Sequence, residues 1–220
     1  MSNYTWNTIQ ADKEVIKRLL NNKGKFTFQT FIPCPDEITN TTAGTIVDEL
    51  VCLYVLENYT YKEVKSNRQL LQGFSAYHID LSKTKKYNIE SLKTSLRGKL
   101  VDEVKDGYTA DAKVVATLTG KDYFKLHQKY GCHNWYDWHC KYWGTKWDAF
   151  DVEISDTEIR FTTAWSMPEP IFDKICEMFP DKEIFFSADY EDNYYVAGKN
   201  NDGTFSIVEE HETYDEDELE

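Results

Sequence analysis

Apolar and polar positions alternate from the fourth residue onward. Tyr4-Thr-Trp-Asn-Thr-Ile9 is rich in aromatic and β-branched residues, which predicts a strand. Asp12 then stands where a helix cap belongs. Val15, Ile16, Leu19 and Leu20 recur at helical spacing, so an amphipathic helix should run to about Asn21–Gly24. Lys25 to Ile32 alternates again and predicts a second strand. Pro33 and Pro35 stop it, because proline cannot donate to an interior ladder. The opening thus reads as β-α-β.

From Asp36 to about Thr145 the apolar period becomes helical. Thr45 to about Glu57 predicts one helix, and Thr60 with Glu63 fits a capping box at the head of another, with Gly73 a later stop. Ser75 to Leu81 reads as a short extended piece. Asn88 heads a helix ending near Gly107, weakened in its middle by Gly98, and Thr109 to Leu118 is helical by composition. Lys121 to Tyr130 is helical and stops at Gly131. Asn134 caps a helix from Trp135 to Trp143, with Asp137 three residues after the cap and Gly144 past the end.

Alternation returns after Gly144. Trp147–Ile154 and Thr157–Trp165 form a hairpin about Ser155 and Asp156. Ser166 and Glu169 fit a capping box for a helix whose stripe is Ile171, Ile175 and Met178, flanked by Phe172 and Cys176 and stopped by Pro180. Glu183–Tyr190 is a strand. Tyr194–Ala197 and Thr204–Val208 make a last hairpin around Gly198–Gly203. Without the helical middle, two β-α-β passes remain. The expected class is α+β, a ferredoxin-like split β-α-β sheet with a large helical insertion and extra C-terminal strands. The expected division is a sheet domain of 1–35 plus 146–208, an insertion of 36–145 and a disordered acidic tail of 209–220.

Composition changes this picture in two places. Of the 220 residues 41% are apolar, enough for a buried core, and the net charge is −13. The last twelve residues hold eight carboxylates and no Lys or Arg. Such a block repels itself, and Glu209, Glu210, Glu212, Asp215, Glu216, Asp217 and Glu218 are candidates for contact with a basic partner, or for a solubilising tail. No basic cluster points to direct nucleic-acid binding. The longest apolar run, Ile46 to Leu56, is too short to span a bilayer and carries Asp48 and Glu49. The first residues lack the basic and apolar regions of a secretory leader. Five irregularly spaced cysteines suit free thiols in a reducing cytoplasm and lack the close spacing of an iron–sulfur ligand set.

The stretch from Asn134 to Trp147 holds four of the six tryptophans. On a helix Trp135, Trp138 and Tyr142 share one face, with Trp143 beside it. This face either packs on the sheet or offers a stacking platform to a nucleotide or other small ligand. Cys132, His133, His139 and Cys140 are possible zinc ligands, but adjacent residues on a helix diverge by about a hundred degrees, so no metal site is assigned. Asp137 with His133 or His139 is a candidate acid–base pair. Asp189, Glu191 and Asp192 read as a solvated acidic turn or a weak magnesium site. Phosphate-binding loops, dinucleotide fingerprints, zinc-protease motifs and nucleophile elbows are lacking, so no catalytic residue and no cofactor is assigned.

Five segments carry a resemblance: Phe28-Gln-Thr-Phe-Ile-Pro-Cys-Pro35, Asn134-Trp-Tyr-Asp-Trp138, Trp143-Gly-Thr-Lys-Trp147, Phe161-Thr-Thr-Ala-Trp-Ser166 followed by Pro168, and Phe179-Pro180. Together they resemble the YubB-like ferredoxin-like family of phage and plasmid proteins. The resemblance covers about 1–35 and 121–192, with departures at Tyr142 and Met167. It implies a small protein of mobile elements in a bacterial cytoplasm and no particular reaction. The expected function is that of a non-enzymatic accessory protein. It would bind and inhibit a host protein or ribonucleoprotein, such as a CRISPR or restriction component. The alternatives are a nucleotide binder and a metal-assisted or acid–base enzyme centred on His133, Asp137 and His139.

Overall fold

The computed structural model describes residues 3–67, 70, 86–105 and 118–213. In chain order the elements are β1 (Tyr4–Ala11), α1 (Lys13–Leu19), α2 (Asp36–Thr39), α3 (Thr45–Asn58), α4 (Tyr61–Ser66), α5 (Lys86–Lys105), α6 (Gly120–Tyr130), α7 (Trp135–Tyr142), β2 (Phe150–Ile154), β3 (Glu158–Ala164), α8 (Glu169–Met178), β4 (Ile184–Tyr190), β5 (Tyr194–Asn201) and β6 (Thr204–Glu212). Two compact units result, Met1–Cys34 with Trp138–Glu220, and Pro35–Asp137. The chain re-enters the first unit within α7.

In the first unit six strands form one sheet in the order β2-β3-β1-β4-β5-β6, with every neighbouring pair antiparallel. The class is α+β. Strands β3 and β4 both run opposite to β1, which lies between them, and α8 connects them. This is a split β-α-β unit, the core of a ferredoxin-like arrangement. Alternation along β1 sends Thr5, Asn7 and Ile9 to one face, all buried. On that side Phe172 of α8 meets Phe186 of β4 at 4.6 Å between ring centroids. The Arg18 guanidinium of α1 lies 4.5 Å from the Phe179 ring just after α8, which places both helices on this face. Asp12 caps α1 by accepting the Val15 N–H at 2.9 Å.

Four expectations are corrected. Lys25–Ile32 is not a strand; it holds only a 3-10 turn at Phe28–Thr30. Its aromatic residues drive it inward instead. Phe26, Phe28 and Phe31 are all buried, and Phe26 and Phe28 meet Phe161 at 5.0 and 5.8 Å. Asp148 supplies the polar partners a ladder would have given, accepting the Phe28 N–H at 2.7 Å and the Thr27 hydroxyl. The capping box before α8 is not formed. The Ser166 hydroxyl donates to the Gly144 carbonyl at 2.6 Å, and Pro168 heads the helix without a side-chain cap. The last hairpin turns at Asp202 and Gly203, both at positive φ, so β5 continues through Gly198 to Asn201. Gly198 lies under the Phe205 ring, where a Cβ would come within 2.3 Å. Finally, β6 pairs with β5 as far as Glu212, so the disordered tail expected from Glu209 does not hold for residues 209–212.

The second unit is helical where described. Val47, Val51, Cys52, Val55 and Leu56 of α3 pack with Val64 of α4, Ile89 and Leu96 of α5, and Tyr123 and Phe124 of α6. The boxes at Thr60–Glu63 and Thr119–Asp122 both form, and Gly131 ends α6 in the left-handed conformation. Gly73, Ser75–Leu81 and residues 109–117 lie outside the described residues.

Candidate functional site

The tryptophan helix begins as its sequence implies. Asn134 accepts the Asp137 N–H at 2.9 Å, and its amide donates to Asp137 Oδ2 at 2.8 Å. Trp138 and Trp143 are 5% and 1% exposed, while Trp135 and Tyr142 are half-buried. The Trp143 indole N–H donates to the Ile32 carbonyl at 2.8 Å, and its ring meets Phe28 edge-on. His139 stacks on Trp143 with centroids 3.9 Å apart, and its Nδ1–H donates to the Lys146 carbonyl at 2.9 Å. Burial holds the His139 pKa below the usual histidine value. Trp138 and Trp143 therefore brace the sheet unit and offer no open stacking face. Among the described residues the exposed indoles are others: Trp6, Trp147 and Trp165, at 51%, 39% and 42% exposure.

Strand register sets Trp6 on the sheet face opposite α1 and α8. Phe150 of β2 pairs with Thr162 of β3, Thr162 with Trp6 of β1, Trp6 with Asp189 of β4, Asp189 with Tyr195 of β5, and Tyr195 with His211 of β6. One row of six side chains thus crosses the whole sheet. Within it the Asp189 carboxylate stands directly between Trp6 and Tyr195, at a cross-strand Cβ separation of about 5 Å. Tyr4, on the same face of β1, meets Phe150 at 5.8 Å, and Phe150 meets Trp147 at 6.4 Å. Beside them the Lys146 ammonium lies 4.7 Å from the Trp147 ring and 5.0 Å from the Trp165 ring. Trp165 holds φ +75°, a backbone region that costs an L-residue about 1–2 kcal/mol. In the next row Glu153, Arg160, Thr8, Ser187, Ala197 and Glu209 follow one another, and Arg160 is paired with neighbouring Glu158 at 2.6 Å. Chemically this is an aromatic and carboxylate surface. It can hold a cation over an indole face and pair it with a carboxylate.

Residues 142–220 match the family model for the ferredoxin-like domain in Api92-like protein. That span contains β2 to β6 and α8, five of the sheet's six strands. A crystal structure of protein api92 from Yersinia pseudotuberculosis is similar across 98% of this chain and 99% of that one, at 8% identity and a TM-score of 0.36. No curated protein matches the chain.

The sequence-derived candidates fall in separate places. Glu209, Glu210 and Glu212 are strand residues of β6, whereas Asp215, Glu216, Asp217 and Glu218 lie outside the described residues. Cys132, His133, His139 and Cys140 do not converge. His133 turns to Asp48 of α3, Nε2 to Oδ1 at 2.6 Å, and to Asp137 Oδ2 at 3.5 Å, while His139 bonds Lys146. Of the acidic turn, Asp189 belongs to the sheet row, and the Glu191 carboxylate accepts the Tyr4 N–H at 2.8 Å. Trp6 and Asp189 were each legible as strand residues, but their pairing joins positions 183 apart in the chain, and no local pattern carries it.

Proposed function

We propose that the chain is a non-catalytic binding protein that engages a basic surface of a host macromolecule through the open face of its sheet. The observation that carries this reading is the row Phe150, Thr162, Trp6, Asp189, Tyr195 and His211, in which an exposed indole and a phenol flank a carboxylate. Arginine and lysine are the side chains such a surface accepts. A cation over an indole gains about 0.5–2 kcal/mol, and a guanidinium also fits a carboxylate in a fork. The Lys146 ammonium beside Trp147 and Trp165 is the intramolecular example of the same contact. The overall charge of −13 adds long-range attraction for a basic partner. The resemblance to YubB-like proteins supplies the setting for the finer form of the proposal: a phage- or plasmid-carried protein in a bacterial cytoplasm that inhibits a defence component by covering a basic groove.

The test is a titration of the full chain with an arginine-rich peptide, single-stranded oligonucleotides and mononucleotides, read by tryptophan fluorescence at two salt concentrations. The peptide is expected to bind, more weakly at high salt, and Trp6→Ala is expected to cost about threefold to thirtyfold in affinity. Asp189→Asn should weaken it in the same direction. Preferential quenching by the nucleotides, or peptide binding indifferent to both substitutions, would sink the proposal.

A further inference from the structure

A second group of side chains lies in the helical unit, away from the sheet row in sequence and independent of the role just proposed. Asp48 projects from α3, His133 precedes α7, and Asp137 lies in its first turn. One donor atom from each falls within 4.8 Å of the other two. His133 Nε2 is the hub, 2.6 Å from Asp48 Oδ1 and 3.5 Å from Asp137 Oδ2. The three side chains are 12%, 23% and 40% exposed, so the group is sheltered yet reachable from solvent. Asn134 fixes one arm, its amide donating to the same Asp137 Oδ2 that faces His133. Among the described residues no Lys or Arg pairs with either carboxylate. A protonated imidazole would leave the trio one negative charge in excess, and a neutral one would leave two.

We propose that Asp48, His133 and Asp137 form a site for a divalent transition-metal ion. One imidazole nitrogen and two carboxylate oxygens on one side, with the other positions left to water, suit ions of the Mn2+ to Zn2+ series. Donors about 2.1 Å from a common ion stand about 3 Å apart in adjacent positions, so the 2.6 and 3.5 Å separations need only small rotations. The ion takes the place of the direct contact between His133 Nε2 and Asp48 Oδ1. Asn134 then acts as a positioning residue, holding Asp137 through the outer hydrogen bond that metal-bound carboxylates commonly keep. The bound ion ties α3 to the start of α7, joining positions 85 residues apart in the chain.

The experiment uses the full chain, stripped with chelator and titrated with Mn2+ at neutral pH. Free Mn2+ is followed by electron paramagnetic resonance, and thermal melting is measured in parallel. Mn2+ is the probe because it avoids adventitious capture by the five thiols, whose sulfur prefers softer ions. One ion per chain and a raised Tm are expected. His133→Gln and the isosteric Asp48→Asn should each abolish or weaken binding by more than about tenfold, and Asn134→Ala by about tenfold. Asp48→Asn keeps the test decisive if His133→Gln fails to fold. No loss of free Mn2+ with an unchanged melt, or equal binding by Asp48→Asn and the parent, overturns the proposal.

Discussion

His139 shows how one side chain reports the packing of the tryptophan segment. It lies flat on Trp143 and gives its Nδ1–H to the Lys146 carbonyl. Burial is the main cause of its lowered pKa, opposed by that hydrogen bond and by the charge of Asp148. A folded pKa below the unfolded value means that the unfolded chain takes up the proton first as the pH falls. The stability tied to neutral His139 is therefore complete above the unfolded value of about 6.5 and is lost as the pH falls through it toward the folded pKa. Urea unfolding between pH 7 and 5 is expected to show that loss, and His139→Gln to show less of it. The carboxylates with lowered pKa, such as Asp12 and Asp122, lose their share only below about pH 4.5, so the two windows separate. An identical pH slope in the variant would mean that His139 is not buried against Trp143.

Two helical glycines carry opposite expectations at the scale of an element. Gly120 opens α6 against α3. A Cβ there would come within 2.1 Å of the Leu50 carbonyl oxygen and 3.0 Å of Tyr54 Cβ. Backbone cannot move aside cheaply, so Gly120→Ala should cost about 3 kcal/mol by forcing the two helices apart. Gly98, in the exposed middle of α5, meets nothing within 4 Å. Gly98→Ala should stabilise by about 0.5–1 kcal/mol, because alanine loses less backbone freedom in a helix. Chemical denaturation of the two variants beside the parent checks both signs. Equal stability at Gly120 would refute the close approach of α6 to α3.

For the whole molecule, the last strand decides where the acidic segment can be cut. Glu209, Glu210, His211 and Glu212 pair with Ala197, Val196, Tyr195 and Tyr194 of β5. Ending the chain after Val208 removes half of the β6 ladder and uncovers the edge of β5, including the Tyr195 end of the recognition row. Ending it after Thr213 keeps that ladder. The shorter chain is expected to melt at lower temperature than the one ending at Thr213, and to bind the arginine-rich peptide more weakly. Equal melting temperatures would show that residues 209–212 add nothing to the sheet. Among the described residues no helix is long and apolar enough to cross a membrane, in line with the charged interruption at Asp48 and Glu49 within the longest apolar run.

Local elements whose signals are self-contained are encoded in short stretches of the chain. The Asp12 cap, the box at Thr60, the Gly131 stop and the period-2 run of β1 need only neighbours within four residues, and each formed. The α+β class followed from the order of those elements, whereas the choice between packing and an open stacking face for Trp138 and Trp143 was settled by their burial in the fold. Where local preference and tertiary demand disagreed, burial won: Lys25–Ile32 alternates like a strand, yet three phenylalanines entering one core bent it into a turn held by Asp148. Which surface stays open and which charged groups meet is set by long-range packing. Trp6 stands beside Asp189, and Asp48 beside His133, through pairings between distant segments. Such pairings arise when sheet register and helix packing close long loops, and no pattern read along a single stretch of chain encodes that closure.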